Sequence, residues 1–276
     1  MTRIHFDDCR PFQRIAIHVL SAFRLWLLFA KPSAFVLAGT LLCLSALPSS
    51  AAEQAPLRVL VVTGGHSHDA SFYALFENQP DLHAVIEPHP SAFIKRLVEQ
   101  FDVIVLYDMV QESQVPEAQR QKLKAFAESG KGILVVHHAL VSYQQWDWYG
   151  LELVGGRYLL EPRNSFPKSL YEHDVTQVVR PVSTHSIVAG MQPFRLVDET
   201  YERMQIVPSA HILLRTDAKG SNDPVAWVSP YQQSRVVALQ LGHDRQAIAT
   251  AAYQQFFHRA LRWVGRRQTA TVSTEQ

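Results

Sequence analysis

Leu57-Arg-Val-Leu-Val-Val-Thr63, running into Gly64-Gly65-His66-Ser67-His68-Asp69, is the stretch on which the fold turns. Its apolar residues do not alternate with polar ones, which is the pattern of a strand buried on both faces. Two more runs share this character: Phe101-Asp-Val-Ile-Val-Leu-Tyr107 and Gly132-Ile-Leu-Val-Val136. Between them the spacing predicts helices over 71–77 and 91–100, with a short strand over 82–87. A further helix is opened by Pro116 and stopped by Gly130. Strand and helix in this rhythm imply a parallel sheet with helices on both faces.

The second half has a different texture. Segments 171–180, 201–205 and 211–216 carry polar alternation and are expected as strands. The apolar runs 225–228 and 235–241, separated by a Ser-Pro-Tyr-Gln-Gln turn, suggest a hairpin whose last strand rejoins the main sheet. Residues 247–267 close the domain with a helix whose apolar stripe holds Phe256, Phe257, Leu261 and Val264. No linker interrupts 53–268, so one α/β domain is expected, followed by a short frayed tail over 269–276.

The 276 residues are 47% hydrophobic and 18% charged, with 26 Lys+Arg against 25 Asp+Glu. That balance excludes a disordered acidic tail and a strongly basic nucleic-acid binder. The first 52 residues are expected to stand outside the domain. Lys31 precedes an apolar run over 34–47, and Pro48-Ser-Ser-Ala-Ala52 offers small residues for cleavage, the three parts of a secretory signal. A second apolar run over 15–30 leaves an uncleaved hairpin anchor as the alternative. Either way the domain is expected to be periplasmic or secreted, meeting the membrane only through this N-terminal segment. The leader holds five basic and two acidic residues, so the remainder carries 21 basic and 23 acidic. Both cysteines, Cys9 and Cys43, also fall within the leader. The domain therefore has no disulfide, no thiolate metal ligand and no cysteine nucleophile.

Parallel α/β sheets bind ligands at the carboxyl ends of their strands. Here those exits are His66 to Asp69, Asp108, His137-His138 and Gly242-His243-Asp244. Three of the four deliver histidine, at once a metal ligand and a general base near neutral pH. His66, His137 and His243 are the candidate ligands of a divalent zinc or manganese ion with an open position for water. The competing readings are structural. Asp69 can cap the next helix, one of His137 and His138 can face the core, and Asp244 can do no more than hold His243. His83, His89 and His258 fall on surface-like segments and receive no role. No GxGxxG or GxxxxGK spacing occurs, so no nucleotide is expected. Gln144-Gln-Trp-Asp-Trp-Tyr149 offers rings for stacking on sugars; alternatively Trp146 and Tyr149, three apart, form the buried face of a short helix.

Seven ordered segments carry a family resemblance. They are 59–68, 132–139, Trp146-Asp-Trp-Tyr-Gly-Leu-Glu-Leu-Val-Gly-Gly-Arg-Tyr158, His185-Ser-Ile-Val-Ala-Gly-Met191, Asp198-Glu-Thr-Tyr201, Pro224-Val-Ala-Trp227 and Leu241-Gly-His-Asp244. Together they resemble the ThuA-like, or trehalose-utilisation, family across about 57–265. His185-Ser186 departs from the family's usual His-Pro. The resemblance implies a flavodoxin-like, class I glutamine amidotransferase-like three-layer sandwich with a mostly parallel central sheet. In those amidotransferases a cysteine sits on the sharp turn after a central strand; the corresponding turn here is His137-His138-Ala139 and the domain has no cysteine, so cysteine-dependent glutaminase activity is excluded. The resemblance further implies a small carbohydrate partner, a disaccharide or keto-sugar. Its catalytic set would be His66, His137, His185, Glu199 and His243, with His68, Asp108, His138, Trp146, Tyr149 and Asp244 near the substrate. Glu152 and Arg157 are expected to tie the loop after the tryptophans. Lyase or hydrolase chemistry suits these residues better than hydride transfer. The alternatives are a non-catalytic sugar-binding protein and an accessory partner of a separate sugar dehydrogenase, and association into a homo-oligomer fits either.

Overall fold

In the computed structural model, which describes residues 54–111 and 114–267, alternate residues of β1 (Leu57–Thr63) separate onto the two faces of a sheet. Val59 and Val61 pack into one apolar core and Leu60 and Val62 into the other, all four wholly buried. This is why the run lacks alternation: neither face meets water. The leader and the 269–276 tail lie outside the described residues.

The same division runs through β2 (Leu82–Pro88), β3 (Val103–Leu106), β4 (Gly132–Val136) and β11 (Val236–Leu239). These strands pair in parallel in the order β2-β1-β3-β4-β11. The sheet continues through antiparallel pairings to β10 (Pro224–Val228), β9 (His211–Thr216), β6 (Leu170–Pro181) and β7 (Phe194–Glu202). Each antiparallel step reverses direction, so seven of the nine strands point the same way and only β10 and β6 oppose them. A separate two-stranded piece pairs β5 (Gly156–Arg157) with β8 (Gln205–Ile206). On one face α1 (Leu97–Gln100) and α2 (Glu117–Glu128) pack with Leu60 and Ile104; on the other α4 (Ala251–Val264) packs with Val59 and Val105. The α/β class and the mostly parallel sheet are those expected.

Helix boundaries differ from expectation in instructive ways. Residues 71–77 form a 3-10 helix, Ala70–Phe76, started by the Asp69 carboxylate accepting the Ser71 amide. The helix expected over 91–100 divides into a 3-10 turn, Ser91–Ile94, and α1. The closing helix divides into α3 (Arg245–Ile248), capped by Asp244, and α4. The strand expected over 201–205 is the end of the longer β7, followed by β8.

Two features build the edge where chemistry can sit. Register places Leu239 opposite Val136, so β4 and β11 leave the sheet side by side, at His137 and Gln240. The β6–β7 ribbon has a bulge between Glu172 and Val175, with Asp174 at φ +56°, which bends the ribbon. β7 thereby lies against the Gly242-His243 loop, where Asp198 meets the loop's amides.

Candidate functional site

His137 is the first residue after β4 and is wholly buried, with φ +44° in the left-handed region. A side chain there costs on the order of 1–3 kcal/mol, a strain that persists only where the surroundings over-determine it. They do so here. The His137 Nδ1–H donates to the Gln240 carbonyl, which leaves Nε2 as the lone-pair nitrogen. That nitrogen accepts from the Tyr201 hydroxyl at 3.0 Å and lies 3.1 Å from His243 Nδ1 and 3.6 Å from Glu199 Oε1.

Glu199 is the hub. Its Oε2 is 2.8 Å from His173 Nδ1 and 3.4 Å from His243 Nδ1. Burial pushes the Glu199 carboxyl up, but the neighbouring imidazoles of His137, His243 and His173 outweigh it. The group is thus held below the usual glutamate value and ionised at neutral pH. Next to it the buried Asp198 carboxylate accepts the amides of Gly242, His243 and Glu199 at 2.7, 3.0 and 2.9 Å. Burial raises its pKa to about 6 against these bonds and the His137 charge. The Tyr107 hydroxyl donates to the Gly242 carbonyl at 2.8 Å, so the His243 loop is pinned from both sides.

His173, Glu199, Tyr201 and His243 line a pocket of about 200 Å³, with His66, Met109, Val141, Tyr158, Leu160 and Tyr171 completing its wall. His138 also faces it, 3% exposed, and neither of its ring nitrogens has a hydrogen-bond partner. Burial, followed by the charges of His137 and His66, drives its pKa far down, so the ring is neutral. An unpartnered buried polar group costs roughly 1–3 kcal/mol, and both His138 nitrogens carry that cost. Desolvation and the His137 charge likewise lower His243.

Two trios bring candidate ligand atoms within 4.8 Å of one another: His137, His138 and His243, and His173, Glu199 and His243. His66 belongs to neither among the described residues; its ring leans on that of His138, tilted by 35° with centroids 4.4 Å apart. Of the expected set His66, His137 and His243, the last two fall in the first trio and His243 alone in the second. His173, on the bulged stretch of β6, was not singled out: its surroundings read as ordinary strand alternation, and a bulge leaves no mark in a polar stretch. Tyr201 stood in a family motif, yet only the packing of β7 shows its hydroxyl on His137.

Other candidates lie elsewhere. His185 rests edge-on to Trp263 of α4, 4.8 Å between centroids, with His211 behind it; none of its contacts reaches Glu199. Asp108 follows β3 but is fully buried and cannot touch a substrate. Its oxygens lack hydrogen-bond partners, and Oδ2 is 3.8 Å from His89 Nε2. Burial lifts Asp108 to about 7 and lowers His89 to about 4. His89 is thus no surface residue: its side chain is 3% exposed against Phe93. His68 bonds Tyr73 and sits edge-on to Tyr107. Asp244 caps α3.

The tryptophan segment takes its structural reading. Tyr149 is buried and donates to the Ala139 carbonyl, while Trp146 packs against Trp148 and Tyr143 with Arg120 over its face. Arg157 pairs with Asp147 and Gln205 rather than Glu152. Gly65 explains the loop before His66: a Cβ there would stand 1.8 Å from the Met109 carbonyl oxygen, and its φ is +75°.

A family model described as ThuA, trehalose utilisation, matches residues 58–264. Among solved structures the chain is similar to a protein described as ThuA-like from Parabacteroides merdae, with TM-score 0.69 and 17% identity over 80% of this chain and 94% of that one. A second ThuA-like protein, from Bacteroides uniformis, gives TM-score 0.59 and 17% identity over 79% and 95%. A cytoplasmic protein from Salmonella typhimurium gives 0.56 and 13% over 75% and 99%. At these identities the likeness is one of fold. No curated protein matches the chain in sequence.

Proposed function

The chain belongs to the ThuA, or trehalose utilisation, family, and on that premise we propose that it is an exported protein of carbohydrate metabolism that acts on a disaccharide or keto-sugar in the histidine–glutamate pocket, with a divalent zinc or manganese ion held there. The observation that carries this reading is convergence: three imidazoles from β4, β6 and the β11 loop meet one carboxylate from β7 within 3.6 Å of it.

The donor set suits the ion. Imidazole and carboxylate are the ligands of catalytic zinc, three from the protein with a position left open. His173, Glu199 and His243 would hold the ion, and His138 offers unpartnered nitrogens beside them. When bound, the ion supplies Lewis-acid polarisation of a carbonyl or a water of lowered pKa. The chain's own residues do the rest. His243, 22% exposed at its side chain, faces the sugar, whereas His137 is sealed behind it. His137 Nε2, 3.1 Å from His243 Nδ1, orients that ring, and His138, whose nitrogens have no hydrogen-bond partner, is the neutral base on the pocket wall for a sugar hydroxyl. The Gln240 carbonyl fixes the His137 tautomer, and Asp198 holds the His243 loop in place. Lyase or hydrolase chemistry follows from this acid–base set.

The test is turnover of trehalose and keto-disaccharides by the purified chain with and without added Zn²⁺ or Mn²⁺, beside Glu199→Gln and His243→Ala. The proposal expects metal-dependent turnover falling at least ~100-fold in both variants. Tight sugar binding with no turnover under any condition would leave a sugar-binding protein and end the enzymatic reading.

A further inference from the structure

We infer that the chain forms a two-fold symmetric dimer in which β2 pairs antiparallel with β2 of a second copy, in the register that sets Val85 opposite the partner's Val85. No residue of β2 lines the pocket, so the dimer does not depend on what the pocket binds.

The two ends of the nine-stranded sheet are unlike. At one end stands β7, whose residues 198–201 are buried, with Asp198 taking the amides of Gly242 and His243. At the other stands β2, seven residues in unbroken register with β1, and among the described residues no strand pairs with its outer side. Such an edge is a template for a further strand unless a bulge, a lysine or a covering segment blocks it. Leu82-His-Ala-Val-Ile-Glu-Pro88 has no bulge and no lysine, its proline falls at the very end, and Ile86 stands 41% exposed.

Backbone bonding and charge together choose the register. Pairing with β1 uses the odd-numbered residues: the Asp81 carbonyl accepts from the Leu57 amide, and the His89 amide donates to the Thr63 carbonyl. The even-numbered residues therefore turn their amides and carbonyls outward. Of these, the Leu82 amide is spent on the Gln79 carbonyl, while Pro88 has no amide and its carbonyl accepts from Ser91 Oγ. Only when Ala84 stands opposite the partner's Ile86 do both residues use both groups, making four bonds between the copies. That register sets His83 opposite the partner's Glu87, twice about the axis, in the pairs whose Cα atoms approach to ~4.5 Å. An imidazole thus faces a carboxylate on each side of Val85. Sliding the pairing until Ala84 meets the partner's Ala84 sets Glu87 against the partner's Asp81 instead, carboxylate against carboxylate. On the other face of the sheet Ile86 lies across from the partner's Ala84 and diagonal to the partner's Ile86, which covers it. The contact is isologous and closes at two copies. Because the two strands run antiparallel, the pockets open at opposite edges of the joined sheet.

The experiment is sedimentation equilibrium of the purified chain over about 1–200 µM, where a contact of this size should take the mass from one chain to two. Ala84→Pro removes an outward amide that β1 does not use; it should keep the circular dichroism spectrum and raise the dissociation constant at least ~10-fold. Register is read by cross-linking in a chain whose Cys9 and Cys43 are replaced by Ser. There Val85→Cys should form a disulfide between copies under mild oxidation, its Cα atoms standing ~4.5 Å apart, within disulfide reach. His83→Cys, which faces the partner's Glu87 rather than its own counterpart, should not. A single-chain mass throughout, a dimer indifferent to Ala84→Pro, or His83→Cys cross-linking as readily as Val85→Cys would each overturn the inference.

Discussion

Two regions attract attention in the sequence for the same reason, a cluster of chemically capable side chains, and they end in opposite states. The Trp146 to Tyr149 segment turns its groups inward and satisfies them: the Tyr149 hydroxyl on Ala139, Trp146 among Trp148, Tyr143 and Arg120. The pocket around Glu199 gathers its groups at a sheet edge and leaves part of their capacity unused, both nitrogens of His138 above all. Residue type is alike capable in both. What separates them is where the backbone stops: Trp146 and Trp148 lead into a helical turn, Trp148–Leu153, packed over the core, whereas the histidines cluster at the edge where adjacent strands end together. Capability left unspent at such an edge marks a site, and capability consumed in packing marks structure.

Variants can break or sharpen this contrast. The largest effect is expected at Asp198, which joins the two parts of the pocket. Asp198→Ala removes the acceptor of three buried amides and should lower stability by about 3 kcal/mol, read as a denaturant midpoint, and weaken metal binding about 10–100-fold. Trp146→Ala should lower stability by roughly 2 kcal/mol and leave sugar affinity where it was. Loss of sugar binding at full stability in that variant would collapse the contrast, because the segment would then be a binding surface.

Asp108, unsatisfied, and its neighbour His89, bonded to the Tyr143 hydroxyl, sharpen it further, both being sealed away from the pocket. The Asp108 carboxyl, raised from its unfolded value to about 7, loses stability as pH rises from 4 to 7. The neutral His89, lowered to about 4, loses stability as pH falls from 6.5 to 4. The two slopes oppose and largely cancel between pH 4 and 6.5. Asp108→Asn should therefore stabilise the fold by on the order of 2 kcal/mol at pH 8. Below pH 6.5 it should uncover the His89 slope, with stability rising as pH rises. A thermal-unfolding series across pH 4–8 checks both. Smallest of all, Tyr149→Phe should cost about 1 kcal/mol through the lost bond to the Ala139 carbonyl, which keeps the Ser142 amide, with metal content unchanged.

The sequence made the sheet and one wall of the pocket legible, and the reason is locality. Val59 to Val62 announce a doubly buried strand by composition alone, and His66, His138 and His243 stand immediately after such strands. His137 was readable as a strand exit, though its left-handed backbone was not. His173, Tyr201 and the three amides on Asp198 depend on a ribbon that bends at a bulge and crosses the sheet edge. That geometry is long-range and leaves no periodic trace. His185 misled because a histidine in a motif looks alike whether it faces a ligand or, as here, Trp263. The buried Asp108 misled because a strand exit ordinarily opens to solvent.

The most direct test is the metal content of residues 53–276, purified without chelator or an added histidine tag. The predicted result is about one zinc or manganese ion per chain, retained through dialysis and lost in Glu199→Gln and His173→Ala, both still folded, while His185→Ala keeps it. A chain that takes up no ion even after reconstitution would contradict the metal centre, as would one that loses its ion equally on His185→Ala.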